Sequence, residues 1–228
     1  MYLNKHDLHQ CVRRLPGPLK GMMIKHGTKI IIAGGYIRSV ITGERISDVD
    51  VFAGDKTASE ILATELQGNS SFYKSDNAFT VRGLALPVQF IFRWVFDNPI
   101  SVMESFDFTI CQSAFWYDSE KKKWDSVCSE RFYQDVASRR IIYLSPIRNE
   151  DAGGSILRVL KYYQRGYRIP LDSLAAIMAR LYAAIDIEKA SENGRVAVVI
   201  AGLLYEVDPA GQIDHEAYLP SEESIEEI

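Results

Sequence analysis

Two aspartates, Asp48 and Asp50, have the types and spacing that metal-dependent chemistry needs. They lie in the segment 47–53, where polar and apolar residues alternate, and this alternation predicts a half-buried strand. Because successive side chains point to opposite faces, the two carboxylates share one face, about 7 Å apart given a rise of ~3.4 Å per residue. Such a pair could hold Mg²⁺ ions that bridge a triphosphate and an attacking hydroxyl.

A glycine pair, Gly34 and Gly35, precedes the aspartates by a short stretch of chain. It follows an apolar, β-branched run at 28–33, which predicts a buried strand, and it precedes a short predicted helix at 36–42. Glycines leave the backbone open to a phosphate, and the start of a helix offers free N–H groups to it. Strand, glycine turn, helix and aspartate strand together favour phosphoryl or nucleotidyl transfer.

The remaining elements predict an α+β fold, with a mixed β-sheet flanked by helices and then a small helical appendage. We place the domain boundary near Pro146, so that residues 1–145 form the head domain and 146–228 form the helical appendage with an acidic tail. The predicted helices cover 57–67, 100–104, 155–165, 171–190 and 195–206, and the predicted strands cover 78–82, 87–95, 106–117 and 123–128.

Composition restricts the classes of protein that the chain can represent. Its 26 basic and 30 acidic residues give a net charge of −4, so contact with a polynucleotide must use a local basic patch. The three cysteines show no metal-binding spacing, and no apolar run approaches the roughly 18 residues of a membrane span. With a polar start that lacks a signal-peptide pattern, these features predict a reduced, cytoplasmic protein without membrane contact.

Four elements in order resemble the polymerase-β-type nucleotidyltransferases, and most closely the head and neck of bacterial CCA-adding enzymes and poly(A) polymerases. The first element is Gly34–Gly43 followed by Ser47–Val51, which is similar to the glycine-pair and Asp-x-Asp motifs of that superfamily. Phe106–Ile110 resembles its Arg-Arg-Asp-Phe-Thr-Ile element. Asp125 and Asp135 fall where that superfamily has its Asp-Pro and Asp-Leu positions, and Leu157–Ile169 resembles the neck helix.

The resemblance implies a role for each carboxylate of the site. Asp48 and Asp50 would bind two Mg²⁺ ions, and the glycine pair would contact the triphosphate of an NTP substrate such as ATP. Asp107 would act either as the ribose-contacting aspartate or as a third metal-binding carboxylate that helps to activate the acceptor. The segment 88–93 resembles the strand where the CCA-adding branch often carries an acidic residue. Its nearest polar residue here is Gln89, which favours the third-carboxylate role for Asp107.

Basic residues provide further candidate nucleotide contacts. Arg38 would contact either a phosphate or a surface carboxylate. Arg158, Lys161 and Arg165 share one face of a predicted helix and could bind a nucleotide or an RNA end, although a solvated face explains them nearly as well.

The predicted function is Mg²⁺-dependent transfer of NMP from an NTP to a hydroxyl acceptor, an RNA 3′ end in the first instance, with release of pyrophosphate. Two alternatives stay open: an acceptor on a protein or small molecule, and a non-catalytic NTP-binding or assembly protein of the same fold. Ser105 and Phe106 replace the two arginines of the resembling motif, and the base-reading arginine is absent near 151–155. These departures argue against the synthesis of CCA ends.

Overall fold

A computed structural model describes residues 1–68, 72–144 and 152–183, together with positions 197, 198 and 200. The chain divides into two compact units, residues 1–138 and 139–228. No helix within the described ranges is long and apolar enough to cross a membrane.

The first unit is an α+β domain built on one mixed seven-stranded sheet with the order β3-β4-β5-β2-β1-β6-β7. Only the central pair β2 and β5 is parallel, and the other neighbours are antiparallel. The strands are β1 Ile31–Ala33, β2 Val49–Phe52, β3 Phe72–Lys74, β4 Ala78–Val81, β5 Val88–Ile91, β6 Ser113–Asp118 and β7 Lys123–Cys128. The helices are α1 Lys5–Arg14, α2 Gly17–His26, α3 Gly35–Thr42, α4 Lys56–Gln67, α5 Pro99–Glu104 and α6 Phe132–Ala137.

The sheet buries side chains on both of its faces. The first face presents fully buried residues such as Val49, Val51 and Phe90 to the packed helices α3 and α4. The second face carries a separate apolar cluster that includes Phe52 of β2 and Val102 of α5. Since β2 contributes to both faces, its position in the sheet is fixed by packing on each side.

Several predicted elements are confirmed, and three need correction. The helix at 36–42, the hairpin strands at 78–82 and 87–95, and the strand at 123–128 are present within a few residues of their predicted ends. The predicted strand at 28–33 begins only at Ile31, because residues 27–29 form a 3₁₀ turn. The predicted strand at 106–117 is also too long, since Thr109–Cys111 is a 3₁₀ turn that precedes β6. Ile61, which was predicted to face the core with Leu62 and Leu66, is 61% exposed.

The second unit contains α7 Ala152–Gln164 and α8 Leu171–Ala183. It begins at Arg139, seven residues before the predicted start at 146, because the chain there pairs with the segment after α7. Arg168 N–H donates to the Arg139 carbonyl, and Ile141 N–H donates to the Arg168 carbonyl, each at 2.8 Å. The predicted helix at 195–206 falls almost wholly outside the described residues.

A buried carboxylate, Asp135, joins α6 to the 3₁₀ turn at 109–111. The Thr109 hydroxyl donates to its Oδ2 at 2.6 Å, and the guanidinium of Arg131 donates to both carboxylate oxygens at 3.0 and 3.1 Å. Asp135 is fully buried, whereas the Arg131 side chain is 46% exposed. The carboxylate is therefore stabilised by hydrogen bonds that compensate for its desolvation.

We predict that Asp135→Asn lowers the free energy of unfolding by about 2–3 kcal/mol, because buried hydrogen bonds to a charged group are lost. Arg131→Gln should also lower it by about 2–3 kcal/mol, because the buried carboxylate keeps its charge but loses two hydrogen bonds and its cationic partner. Urea denaturation followed by circular dichroism measures both. A loss below about 0.5 kcal/mol for either variant would contradict the account.

The three cysteines are buried in the first unit, and none of them forms a disulfide. Burial, with a smaller contribution from the charge of Asp7, raises the pKa of Cys11 to about 12. Burial also raises the pKa of Cys128. A thiol reacts through its thiolate, so both effects oppose modification.

Ellman's reagent should therefore label no cysteine rapidly in the native protein at pH 8, where Cys11 would be roughly one part in ten thousand thiolate. All three should react once guanidinium chloride unfolds the chain. Rapid stoichiometric release of thionitrobenzoate from native protein would show that at least one thiol is accessible.

Candidate active site

The two aspartates lie at the beginning of β2, on the face opposite Val49 and Val51. Asp50 is within the strand and Asp48 immediately precedes it, and both side chains are half-buried. The flanking valines are fully buried, as strict alternation requires. The sheet therefore presents two neighbouring carboxylates on its second face, at the start of the central strand β2.

Asp48 is oriented by two neighbouring side chains. The Ser47 hydroxyl donates to its Oδ1 at 2.9 Å, and Gln89 Nε2 donates to its Oδ2 at 3.3 Å. Gln89 is the register partner of Asp50 across the parallel β2–β5 pair, so its amide lies beside both carboxylates. Each carboxylate oxygen has a second lone pair, which leaves capacity for a cation.

The β1–β2 pairing places the glycine turn next to the aspartates. Ile31 pairs with Phe52 and Ile32 with Val51, and continuation of this antiparallel register brings the end of β1 alongside Asp50. Gly34 and Gly35 follow β1 directly, and α3 begins at Gly35. The turn and the carboxylates are thus adjacent because the two strands are hydrogen-bonded neighbours.

Gly34 is required by the fold itself. Its φ of +83° lies in the region that favours glycine, and its N–H donates to the Ser113 carbonyl at 3.0 Å. An added Cβ would lie 2.6 Å from the ring of Phe106. An aromatic ring therefore occupies the side of Gly34 on which a side chain would lie, and a phosphate contact with the backbone of Gly34 stays a prediction.

Gly35 differs from Gly34 in its surroundings. An added Cβ there would meet only the guanidinium of Arg38, at 3.7 Å, which is an ordinary van der Waals distance. Gly35 is the first residue of α3, where backbone N–H groups have no intrahelical acceptor. A phosphate contact at this turn stays a prediction, and Gly35 is the position that leaves room for it.

Arg38 lies inside the protein and is only 2% exposed. Its Nε is 3.6 Å from the carboxylate of Glu44, and a terminal nitrogen donates to the Cys111 sulfur at 3.5 Å. Arg38 was predicted to contact either a phosphate or a carboxylate, and the structure shows it next to the carboxylate of Glu44. A nucleotide phosphate would have to compete with Glu44 for this guanidinium.

Asp107 is also buried, at 7% exposure, and it follows the phenyl ring that covers Gly34. Among the residues that the structure describes, no three or more histidine, cysteine, aspartate or glutamate side chains form a group able to hold a metal ion. Asp48, Asp50 and Asp107 are therefore not assembled as a three-carboxylate set. The alternative role of Asp107 as a ribose contact stays a prediction.

The donor set at Asp48 and Asp50 fits a hard cation that takes part of its coordination from a substrate. Carboxylate oxygens are the ligands that Mg²⁺ prefers, and Mg²⁺ is commonly bound through one or two carboxylates plus phosphate oxygens. Ser47 and Gln89 would fix the orientation of Asp48 as outer hydrogen-bond partners. The site residues present are compatible with two Mg²⁺ ions bound together with an NTP.

The basic residues predicted downstream lie on α7 in the second unit. Arg158 and Lys161 are half-buried, and Arg165 is half-buried at the residue that follows the helix. Of the neighbouring tyrosines, Tyr162 is buried against Tyr167 with ring centroids 5.9 Å apart, whereas Tyr163 is exposed. A nucleotide-binding role for Arg158 and Lys161 stays a prediction.

Comparison with known proteins identifies the family. The profile described as "Gabija anti-defense 2 family protein" matches residues 4–139, which is more than half of the chain. The chain belongs to the Gabija anti-defense 2 family. A relative named "Gabija anti-defense 2" from Bacillus phage SPbetaL7 is 32% identical over 143 residues, which cover 61% of this chain and 34% of that protein. This family member thus spans about a third of the length of its phage relative.

Solved structures show that this Gabija anti-defense 2 family member has a nucleotidyltransferase fold. The Thermotoga maritima CCA-adding enzyme in complex with tRNA matches 91% of the chain with a TM-score of 0.57 and 17% identity. A CCA-adding enzyme in complex with ATP matches 91% with a TM-score of 0.59 and 16% identity. The chain spans about half of each enzyme. The predicted likeness to the head and neck of CCA-adding enzymes is confirmed at the level of the fold.

Two site features were not evident from the sequence of this family member. Phe106 was noted only as a replacement for an arginine, and its packing on Gly34 depends on a contact between distant segments. Glu44 had no assigned role. Its position six residues after Arg38, just beyond the Gly43 that ends α3, was a local indication that its carboxylate could reach the Arg38 guanidinium.

We predict that Gly34→Ala lowers the free energy of unfolding by about 3 kcal/mol, because it combines backbone strain with a clash against Phe106. Gly35→Ala is the matched control and should change the free energy of unfolding by less than about 1 kcal/mol, since its Cβ has room. Urea denaturation of both variants tests this difference. Similar stabilities would mean that Phe106 does not pack on the turn.

Proposed function

We propose that the chain is a Mg²⁺-dependent nucleotidyltransferase domain that transfers NMP from an NTP to a hydroxyl acceptor and releases pyrophosphate. The observation that carries the proposal is the placement of Asp48 and Asp50 on one sheet face, beside the turn that starts α3. The fold supports it, because CCA-adding enzymes with the same architecture have been solved with ATP and with CTP.

In this proposal the side chains position reactants rather than form covalent bonds. Bound Mg²⁺ would neutralise triphosphate charge and lower the pKa of the acceptor hydroxyl. Asp48 and Asp50 would hold that charge at the start of β2, and Ser47 and Gln89 would keep Asp48 in its orientation. The free N–H groups at the start of α3 would donate to phosphate oxygens.

For the acceptor we propose an RNA 3′ end, on the basis of the resemblance to RNA-extending enzymes. The family name suggests the biological role: the transfer reaction would help a phage to counteract the Gabija defence. An acceptor hydroxyl on a protein or a small molecule is the alternative, and it is compatible with a chain of net charge −4.

A second function, NTP binding without turnover, is favoured by two observations. Phe106 fills the space at Gly34, and Glu44 engages the buried Arg38. Phe106 stands where the resembling motif has an arginine, and Glu44 pairs with an arginine, so fewer cations are left to stabilise the charge that develops during transfer. A domain with these contacts could retain a nucleotide or organise a complex without performing transfer.

The transfer reaction is tested by incubating the protein with each α-³²P-labelled NTP, Mg²⁺ and a pool of RNAs. We expect wild type to label RNA and the Asp48→Asn/Asp50→Asn double variant to lose at least roughly a hundredfold in rate, because both metal ligands are neutralised. Asp76→Asn removes an exposed aspartate in the β3–β4 turn and should retain the wild-type rate.

The outcomes separate the candidates. Label on protein instead of RNA would favour the alternative acceptor. Calorimetric binding of NTP with no label transferred to any acceptor would favour the non-catalytic function. Absence of both binding and transfer, or equal rates for wild type and the double variant, would contradict the proposal. Phage plating on cells that carry Gabija, with wild type and the double variant, tests whether the chemistry serves anti-defence.

A further inference from the structure

A second candidate site lies on the first face of the sheet, away from the aspartates. It is a cleft of about 520 Å³ between α1, α2 and β7, which we call the basic cleft. Leu8 and Val12 of α1 form part of its wall. Its polar and aromatic lining consists of Lys5, His9 and Arg13 of α1, Lys20 of α2, and Trp124 of β7.

The charge of the basic cleft is opposite to that of the whole chain. The chain has a net charge of −4, yet three of the lining side chains are permanently cationic, and no carboxylate lines the cleft. Among the described residues, Lys5, Arg13 and Lys20 form no ion pair within 4.0 Å, whereas Lys25, Lys121 and Arg131 each do. A cluster of cations without acidic partners attracts an anionic ligand.

The spacing of the basic residues on α1 indicates that a matching ligand is extended. Lys5, His9 and Arg13 are four residues apart in sequence, so they lie along one face of the helix. At a rise of 1.5 Å per residue, Lys5 and Arg13 are about 12 Å apart along the axis. Lys20 adds a positive charge from the opposite wall. A row of this length suits several linked phosphates better than a single one.

Trp124 supplies a flat apolar surface next to these charges. Its ring is held edge-on by Tyr117, with centroids 5.3 Å apart and an interplanar angle of 72°, and by Phe115 at 6.2 Å and 60°. The side chain is half-buried, so part of it faces the cleft. An aromatic side chain next to a basic row is the combination that binds bases and phosphates of a single strand.

The sheet register separates the basic cleft from the aspartate site. Trp116 contacts the apolar cluster on the second face, so the next residue of β6, Tyr117, points to the first face. Trp124 is the register partner of Tyr117 and therefore shares that first face. Asp50 precedes Phe52 of the same cluster by two residues and shares its face. The cleft is therefore on the other side of the sheet from the carboxylates, and it is a separate site.

We propose that the basic cleft binds single-stranded nucleic acid, with a base against Trp124 and the phosphate backbone along Lys5, Arg13 and Lys20. This site is independent of the proposed transfer reaction. It would give a chain of negative net charge a local surface for a polynucleotide, whether or not that polynucleotide is also the acceptor.

Fluorescence anisotropy with a fluorescein-labelled 12-nucleotide single strand, as RNA and as DNA, tests the proposal. EDTA in the buffer keeps divalent metal from the aspartates. Arg13→Glu/Lys20→Glu should weaken binding at least tenfold and flatten the dependence of affinity on salt. Lys74→Glu/Arg82→Glu introduces the same charge change at the opposite edge of the sheet, and it should weaken binding less than twofold.

The stacking surface has its own test. Trp124→Ala should weaken binding roughly 5- to 150-fold, the range that follows from loss of one base–aromatic stack, while Trp124→Phe should retain most of the affinity. Circular dichroism of each variant verifies folding. Asp48→Asn/Asp50→Asn should bind as wild type does, so loss of transfer activity and loss of cleft binding are distinguishable.

Three results would overturn the proposal. The first is the absence of single-strand binding by wild type at 50 mM salt. The second is equal weakening by the cleft pair and by the control pair, which would indicate diffuse electrostatic attraction. The third is displacement of the oligonucleotide by AMP or inorganic phosphate at comparable concentration, which would make the cleft a site for a free nucleotide or anion.

Discussion

The antiparallel pairing of β1 with β2 is the constraint on which the candidate active site depends. It sets the end of β1, and hence the turn that opens α3, beside the start of β2, and so beside Asp48 and Asp50. The parallel neighbour β5 then brings Gln89 to the same place. Since β2 is buried on both faces, a shift of register by one residue would turn its aspartates into the core, at a high desolvation cost.

Local pattern was sufficient to predict the elements of the site. Alternation around Val49 and Val51 placed both aspartates on one face, and the glycine pair correctly located the start of α3. The nucleotidyltransferase fold was predicted from the resemblance of four motifs, in order, to a known superfamily. Where the prediction failed, the cause was tertiary. Ile61 has the spacing of the buried face of its helix but faces solvent, and residues 106–112 include several apolar side chains yet form a loop and a 3₁₀ turn.

Contacts between distant segments account for what the sequence could not reveal. Nothing local indicates that Phe106 packs on Gly34. The cations of the basic cleft come from two helices and face a tryptophan from the far end of the sheet. Each of these arrangements needs the fold before it can be recognised, because residues far apart in the chain must first be brought together.

The short connection from Arg38 to Asp48 has a mechanical consequence. Glu44, which holds the guanidinium, is only four residues before Asp48, and Ser47, which orients that aspartate, lies in the same connection. An anion that displaced Glu44 from Arg38 would release the middle of this loop while its far end stays hydrogen-bonded in β2. Binding of a triphosphate at Arg38 and the orientation of the Asp48 carboxylate would then be coupled through the backbone between these two residues, without movement of the sheet.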